Sequence, residues 1–198
     1  MEGVRIILAS ASPRRKELLS RLGWTFDVIP SDADESHVIG EPPAEMVMRL
    51  SRLKGGNIAK MHPGALVVAS DTTVFCDGRL LGKPSDDADA ARMLVLLSGR
   101  VHQVYSGVAL FFRGKCVCSF ESTDVEFRVL SDDDIASYIA TGEGRGCAGG
   151  YAIQGKACTL VRRINGDYSN VVGLPMPLLA EMLGELGFST RQIMCIRD

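Results

Sequence analysis

Ile7-Leu8-Ala9-Ser10-Ala11-Ser12-Pro13-Arg14-Arg15 is the stretch from which the rest of the chain can be placed. It begins as a strand, because Val4, Ile6, Ile7 and Leu8 form a short, apolar, β-prone run of the kind found in buried strands. The run then stops at small hydroxyl residues. Ser12 suits a helix N-cap, and Pro13 suits the first helical position. Leu18, Leu19 and Leu22 follow at helical spacing, and Gly23 is placed to end the helix. Arg14 and Arg15 therefore fall in the first helical turn, where the backbone is already partly positive and each misplaced cation costs from a few tenths to about 1 kcal/mol. Serine hydroxyls, free backbone N–H groups and two arginines at one helix start make sense if an anion binds there, phosphate above all. Two solvated arginines at the edge of a helix are the other reading.

The 198 residues predict one domain spanning 1–198, with room for two lobes. A hydrophobic share of 46% and a mean hydropathy of +0.11 are enough for a sizeable core. A net charge of −2 argues against a general nucleic-acid binder, so positive charge has to be concentrated locally. No stretch approaches the roughly 18 apolar residues of a membrane span, and the N-terminus enters a strand without a targeting pattern. The expectation is a soluble, cytoplasmic protein with neither a nucleic-acid nor a membrane partner. Cys76, Cys116, Cys118, Cys147, Cys158 and Cys195 include no Cys-x-x-Cys pair and no further ligands at zinc spacing, so reduced thiols are expected.

Outward from the opening stretch, Trp24, Phe26 and Val28 alternate and predict a strand over 24–30, followed by the acidic loop Ser31-Asp32-Ala33-Asp34-Glu35. That loop is either a solvated turn or the source of a metal-binding carboxylate. Residues 43–60 predict a helix with Val47, Leu50 and Lys54 on one face, weakened or kinked at Gly55-Gly56. Lys54 either snorkels to solvent or points into a cleft. Ala65 to Val74 predicts an apolar strand interrupted by Asp71. A carboxylate there needs a cation, a metal or a water-filled cleft, with structural pairing to an arginine as the other reading. Cys76-Asp77-Gly78-Arg79 predicts a hairpin that brings Lys83 back towards the Asp71 end of the pair.

Ser85 to Ser98 predicts a helix capped by Ser85. Two long strands over 101–112 and 115–129 meet at Arg113-Gly114, with the lone His102 expected to be structural, and a capped helix runs from Ser131 to Ala140. The glycine-rich loop 142–150 matches neither a P-loop nor a dinucleotide fingerprint. A strand is predicted from Tyr151, carrying Gln154, whose amide either reads a base edge or simply ends the strand. Pro175 begins a last helix with an apolar face. Carboxylates at Glu35 and Asp71, lysines at Lys54 and Lys83 and an anion-binding helix start are together the parts that phosphoryl or nucleotidyl chemistry requires.

Ser10-Ala11-Ser12-Pro13-Arg14-Arg15 resembles the opening signature of the Maf family of nucleoside triphosphate pyrophosphatases. The resemblance continues through Glu35, Lys54, Ser70-Asp71-Thr72, Gly82-Lys83-Pro84, Tyr151-Ala152-Ile153-Gln154-Gly155 and Gly166-Asp167-Tyr168-Ser169-Asn170-Val171-Val172-Gly173-Leu174-Pro175. It implies an α/β fold, an elongated mixed sheet with flanking helices and two lobes around a central cleft, related to inosine triphosphate pyrophosphatases. It implies cleavage of a nucleoside triphosphate to the monophosphate and pyrophosphate, Mg²⁺ or another divalent cation, and a homodimer. On this resemblance Ser10, Ser12, Arg14 and Arg15 grip the triphosphate. Glu35 and Asp71 hold the metal, with Asp71 orienting or deprotonating the water, and Lys54 and Lys83 neutralise phosphate charge. Thr72 and Gln154 resemble the subgroup acting on dTTP and UTP rather than the one preferring 7-methyl-GTP. A house-cleaning pyrophosphatase for modified nucleotides and a nucleotide-binding regulator of cell division or septum formation are the alternatives. One departure stands out: the family usually has lysine where this chain has Cys147, so if that lysine touches phosphate this chain has either one contact fewer or Arg145 as a substitute.

Overall fold

The computed structural model describes residues 3–33, 35–36 and 38–194, so Asp34 of the acidic loop and Cys195 lie outside the described residues. The chain divides into two compact units. One holds the described residues up to Asp71, Ser106–Glu121 and those from Gly173 onward; the other holds Thr72–Tyr105 and Ser122–Val172.

In the first unit, β1 (Ile6–Leu8) leads to α1 (Pro13–Ser20), as the opening stretch predicts. Ser12 is the N-cap, and its hydroxyl accepts from the Arg15 N–H at 3.4 Å. β2 (Asp27–Val28) then pairs parallel to β1, with Ile7 opposite Asp27. It is shorter than the alternation over 24–30 suggests. The reason is Trp24, which is buried and donates from Nε1 to the Ile193 carbonyl at 2.8 Å, anchoring the chain outside the ladder. α2 (Pro43–Met61) crosses to β3 (Leu66–Cys76), which pairs parallel to β1 with Ile7 opposite Val67. Ile6, Ile7 and Leu8 are all buried, so both faces of β1 are covered and the strand reads as an unbroken apolar run. Ile7, Ala9, Val67 and Ala69 pack on Ile58 of α2 with Phe111 at the margin. α2 runs unbroken through Gly55-Gly56, contrary to the expected kink. A Cβ on Gly55 would lie 2.6 Å from Phe111 Cε2 and 3.0 Å from the Ala69 Cβ, so the missing side chain lets helix and sheet approach.

In the second unit, β3 continues to Cys76, turns at Asp77 (φ 53°) and Gly78 (φ 77°), and returns as β4 (Arg79–Leu81) with Val74 opposite Leu81. α3 (Asp87–Leu97) is capped by Asp86 rather than Ser85. The Asp86 carboxylate accepts from the Asp89 N–H at 2.7 Å, while Ser85 bonds back to the Asp89 side chain. β5 (Val101–Phe112) and β6 (Lys115–Phe127) have residues in both units; their two-residue turn Arg113-Gly114, with φ of 49° and 79°, belongs to the first. β6 stops two residues before the expected 129, and the Arg128 N–H goes instead to the Leu160 carbonyl at 3.0 Å. α4 (Asp132–Ala140) carries the predicted cap, a reciprocal box between Ser131 and Asp134.

The strand expected from Tyr151 does not form. Gly155 N–H bonds to Ala152, Cys158 to Gly155 and Leu160 to Ala157, so these backbone groups are satisfied locally in turns. β7 (Val161–Asn165) then pairs antiparallel to β6, and α5 (Tyr168–Val172) follows. Back in the first unit, α6 (Met176–Glu185) and α7 (Thr190–Ile193) close the described chain. The strand pairings run β2-β1-β3-β5-β6-β7, with β4 on β3, giving a mixed α/β fold. No described helix is long and apolar enough to cross a membrane.

Candidate functional site

The apolar packing of the first unit delivers the ionisable groups. Side chains alternate along β3, so Asp71 shares the α2-facing side with Val67 and Ala69. Lys54 lies four residues before Ile58, one turn along the same helix face. The register that seats Ile58 on Val67 and Ala69 therefore sets Lys54 against Asp71. Lys54 Nζ donates to Asp71 Oδ1 at 2.6 Å, and both side chains are only 11% exposed. The same ammonium lies 2.8 Å from Glu35 Oε2, whose side chain is half-exposed. The loop bearing Glu35 is tied to α2 by Arg49, which donates to the Ser36 carbonyl at 3.2 Å and forms a two-bond ion pair with Glu41. Both alternatives offered for Lys54 are thus resolved: it does not snorkel outward but bridges two carboxylates.

The other face of the strands carries hydroxyls. Ser10 and Ser70 are buried, and Ser70 Oγ donates to the Gly173 carbonyl at 2.9 Å. Arg15 Nε donates to the same carbonyl at 2.8 Å, and its Nη1 donates to Ser10 Oγ at 3.2 Å. Ser10 Oγ also accepts the Ser12 N–H at 3.2 Å. Burial lowers the Arg15 pKa, and Arg14 beside it acts in the same direction. The negative fields of Asp71 and Glu35 oppose both. The helix start and the carboxylate cluster therefore belong to one electrostatic neighbourhood. Arg15 is not a loose surface cation: two of its donors are already spent on fixing its direction. Sequence reasoning missed Ser70 and Gly173 as the tie between β3 and α1. They are 103 residues apart, and only their presence in two quoted motifs marked them.

Asp71 Oδ1 is taken by Lys54, and Oδ2 accepts no hydrogen bond among the described residues. No group of three or more His, Cys, Asp or Glu side chains converges among the described residues. Two carboxylates meeting one cation nevertheless fit a hard ion of the Mg²⁺ type. Such an ion is held by one or two carboxylates and completes its shell with water and phosphate oxygens.

The remaining candidates lie in the second unit. Thr72 follows Asp71 directly on β3 and is half-buried. Lys83 is exposed, two residues beyond Leu81, and has no ion-pair partner among the described residues. Gln154 is exposed in the turn before residues 156–159. Arg145 does not stand free to replace the family's lysine. It forms a bidentate pair with Asp87, Nε to Oδ1 at 3.0 Å and Nη2 to Oδ2 at 2.7 Å. Cys147 is buried, with its Sγ 3.4 Å from the Glu143 carbonyl. The five described cysteines are free thiols, and burial pushes the Cys76 and Cys116 thiols up, away from thiolate chemistry. His102 is fully buried, as a structural histidine should be.

Residues 5–186 match the family model described as Maf-like protein. The chain belongs to the Maf family. Among its relatives are the dTTP/UTP pyrophosphatases of Moorella thermoacetica and Thermococcus gammatolerans. Each is 49% identical, the first over 92% of this chain and 95% of the relative, the second over 92% and 97%. The dTTP/UTP pyrophosphatase of Geobacter metallireducens is 46% identical over 94% of this chain and 98% of its own. Among solved structures, a nucleoside-triphosphatase / dITP/XTP pyrophosphatase from Mycobacterium abscessus is similar over 63% of this Maf-family chain and 74% of its own, with 22% identity and a TM-score of 0.41. The Staphylococcus aureus Ham1 protein is similar over 62% and 71%, with 17% identity and a TM-score of 0.45.

Proposed function

We propose that this chain is a nucleoside triphosphate pyrophosphatase that hydrolyses dTTP and UTP to the monophosphate and pyrophosphate. The observation that carries the reading is the convergence of Asp71 and Glu35 on Lys54, with one Asp71 oxygen left over, beside a helix start bearing Arg14, Arg15, Ser10 and Ser12. The names of the full-length relatives supply the substrates.

In this mechanism Arg14, Arg15 and the capped N-terminus of α1 bind the triphosphate, and the Gly173 tie keeps Arg15 aimed. Asp71 orients a water and accepts its proton. The water oxygen adds to phosphorus, the α–β anhydride bond breaks, and pyrophosphate departs with the bridging oxygen. Lys54 holds both carboxylates in place and moves its charge towards the phosphates as they gain negative charge. Lys83 is a second neutralising cation. Glu35 and Asp71 are the residues that would hold a divalent ion, which would supply Lewis-acid stabilisation to the phosphates. Thr72 and Gln154 are assigned to base recognition on the resemblance, the neutral amide offering both a donor and an acceptor to a pyrimidine edge. We assign both units to one functional domain, acting as a cytoplasmic homodimer; the single family match over 5–186 supports the first part.

The test is pyrophosphate release from dTTP, UTP, canonical purine triphosphates and 7-methyl-GTP in the presence of Mg²⁺. Asp71→Asn should fold normally and lose on the order of 10²–10⁴ in kcat. Turnover near the unsubstituted level in that variant would sink the assignment of Asp71. A preference for 7-methyl-GTP would defeat the pyrimidine reading, and no release from any triphosphate would favour the regulator.

A further inference from the structure

A pocket of about 260 Å³ opens in the first unit, away from Asp71, between the C-terminal end of α2 and the tip of the β5–β6 hairpin. Its floor is apolar, formed by Ala59, Ala65 and the ring of Phe111. Its rim is basic. Lys60 and His62 come from the end of α2, and Arg113 and Lys115 from the hairpin. No acidic side chain lines it. None of these four side chains has a carboxylate partner among the described residues. The chain as a whole carries a net charge of −2, so this cluster is a local concentration of positive charge.

Helix-end electrostatics accounts for only one of these cations. Lys60 complements the negative end of α2, as a basic residue in a last helical turn does. That role does not extend to Arg113 or Lys115, which reach the same rim from a different element. Arg113 occupies a left-handed backbone position, φ 49°, which a glycine would fill with less strain. Its guanidinium lies over the Phe112 ring, 5.0 Å from the centroid.

We propose that this pocket is a second binding site, for a small aromatic anion: a planar ring against Phe111, with a phosphate or carboxylate held by Lys60, His62, Arg113 and Lys115. The volume lies just below the range of about 300–1,000 Å³ typical of drug-sized ligands, so the occupant is compact. The chemistry of the walls sets the class, since an apolar floor with a cationic rim rewards a ligand having both a ring and a charge. The site stands independently of the pyrophosphatase reading, because none of its residues belongs to the Asp71 cluster.

The probe is 1-naphthyl phosphate, titrated into the full chain and followed by naphthyl fluorescence, with inorganic phosphate and 1-naphthol as separate arms. Saturable binding of 1-naphthyl phosphate is expected, weakened about tenfold or more in the Lys60→Glu/Lys115→Glu double variant and unchanged in Asp71→Asn. Both lysines are exposed, so the double variant should fold. Arg113→Gly separates binding from folding: it should weaken the probe while holding or raising Tm, because glycine suits φ 49°. Binding that survives both variants undiminished, or is lost in Asp71→Asn, overturns the site. So does an absence of binding at millimolar probe. Inorganic phosphate or 1-naphthol binding as tightly as the combined probe overturns the ligand class.

Discussion

One ammonium, Lys54 Nζ, neutralises two carboxylates that arrive from different parts of the chain, Glu35 from a loop and Asp71 from a strand. Asp71 is 8% exposed, so its charge is tolerated only because the partner sits at 2.6 Å. The same rule works in reverse at His102. It is fully buried with no charged partner; Nε2 meets the Tyr151 hydroxyl at 2.8 Å, and Nδ1 has no hydrogen-bond partner among the described residues. Phe127 and Tyr151 contact the ring edge-on, at centroid distances of 5.0 and 5.5 Å. Burial lowers the His102 pKa from 6.5 to about 4, so the folded protein holds a neutral ring. The unfolded chain, titrating at the ordinary value, binds a proton first as pH falls. Stability from this residue is therefore complete above about pH 6.5 and declines towards pH 4, by about 3 kcal/mol in all. Urea unfolding at about pH 7.5 and about pH 4.5 should show that loss, and His102→Gln should flatten the pH dependence. An equally steep fall in the variant would assign the effect to carboxylates instead. The sequence already marked His102 as structural because it stood alone; the depth of its burial came only from the packing of Phe127 and Tyr151.

At the scale of elements, helix α2 and the strands beneath it meet through missing side chains. A Cβ on Gly107 of β5 would lie 2.3 Å from the Val47 carbonyl oxygen and 2.4 Å from its carbonyl carbon, both backbone atoms that no rotamer change can move. Gly55, on the facing helix, would meet the more yielding Phe111 ring at 2.6 Å. Gly107→Ala should therefore cost about 3 kcal/mol or more, while Gly55→Ala should cost less, the clash being offset in part by the better helix propensity of alanine. Equilibrium denaturation of both variants checks the order, and a Gly107→Ala protein as stable as the parent would remove the close approach. Helices were the legible elements here because caps and 3.6-residue spacing are local: Ser12, Ser131 and the Val47–Leu50–Lys54 face are where the sequence places them. The segment after Tyr151 was not legible. Its apolar residues mimic a strand, and the turn hydrogen bonds of Gly155, Cys158 and Leu160 that replace the ladder leave no mark in periodicity.

Across the whole molecule, the candidate site assembles from positions 10–15, 35, 54, 71 and 173, and only some of those links follow from pattern. An aspartate inside an apolar strand and a lysine on an apolar helix face each announce a buried charge needing a partner, and here they are each other's. The Gly173 carbonyl that receives both Arg15 and Ser70 follows from no local rule, because a main-chain acceptor carries no residue identity. The charge balance has a consequence for the metal. Lys54 already compensates Glu35 and Asp71, and no group of three or more His, Cys, Asp or Glu side chains converges among the described residues. The fold therefore has its own cation at that point, and ion binding is expected to be separable from folding, unlike in a zinc-nucleated domain. Chelation with EDTA should abolish pyrophosphate release from dTTP while moving Tm by less than about 2 °C, since a 1 kcal/mol change in a domain of this size moves Tm by about 2–4 °C. Mg²⁺ added back together with a non-hydrolysable dTTP analogue should then raise Tm, and Glu35→Gln should diminish that rise, because half of the proposed ion site is gone. Turnover persisting in EDTA would remove the metal from the mechanism, and unfolding in EDTA would make it structural rather than catalytic.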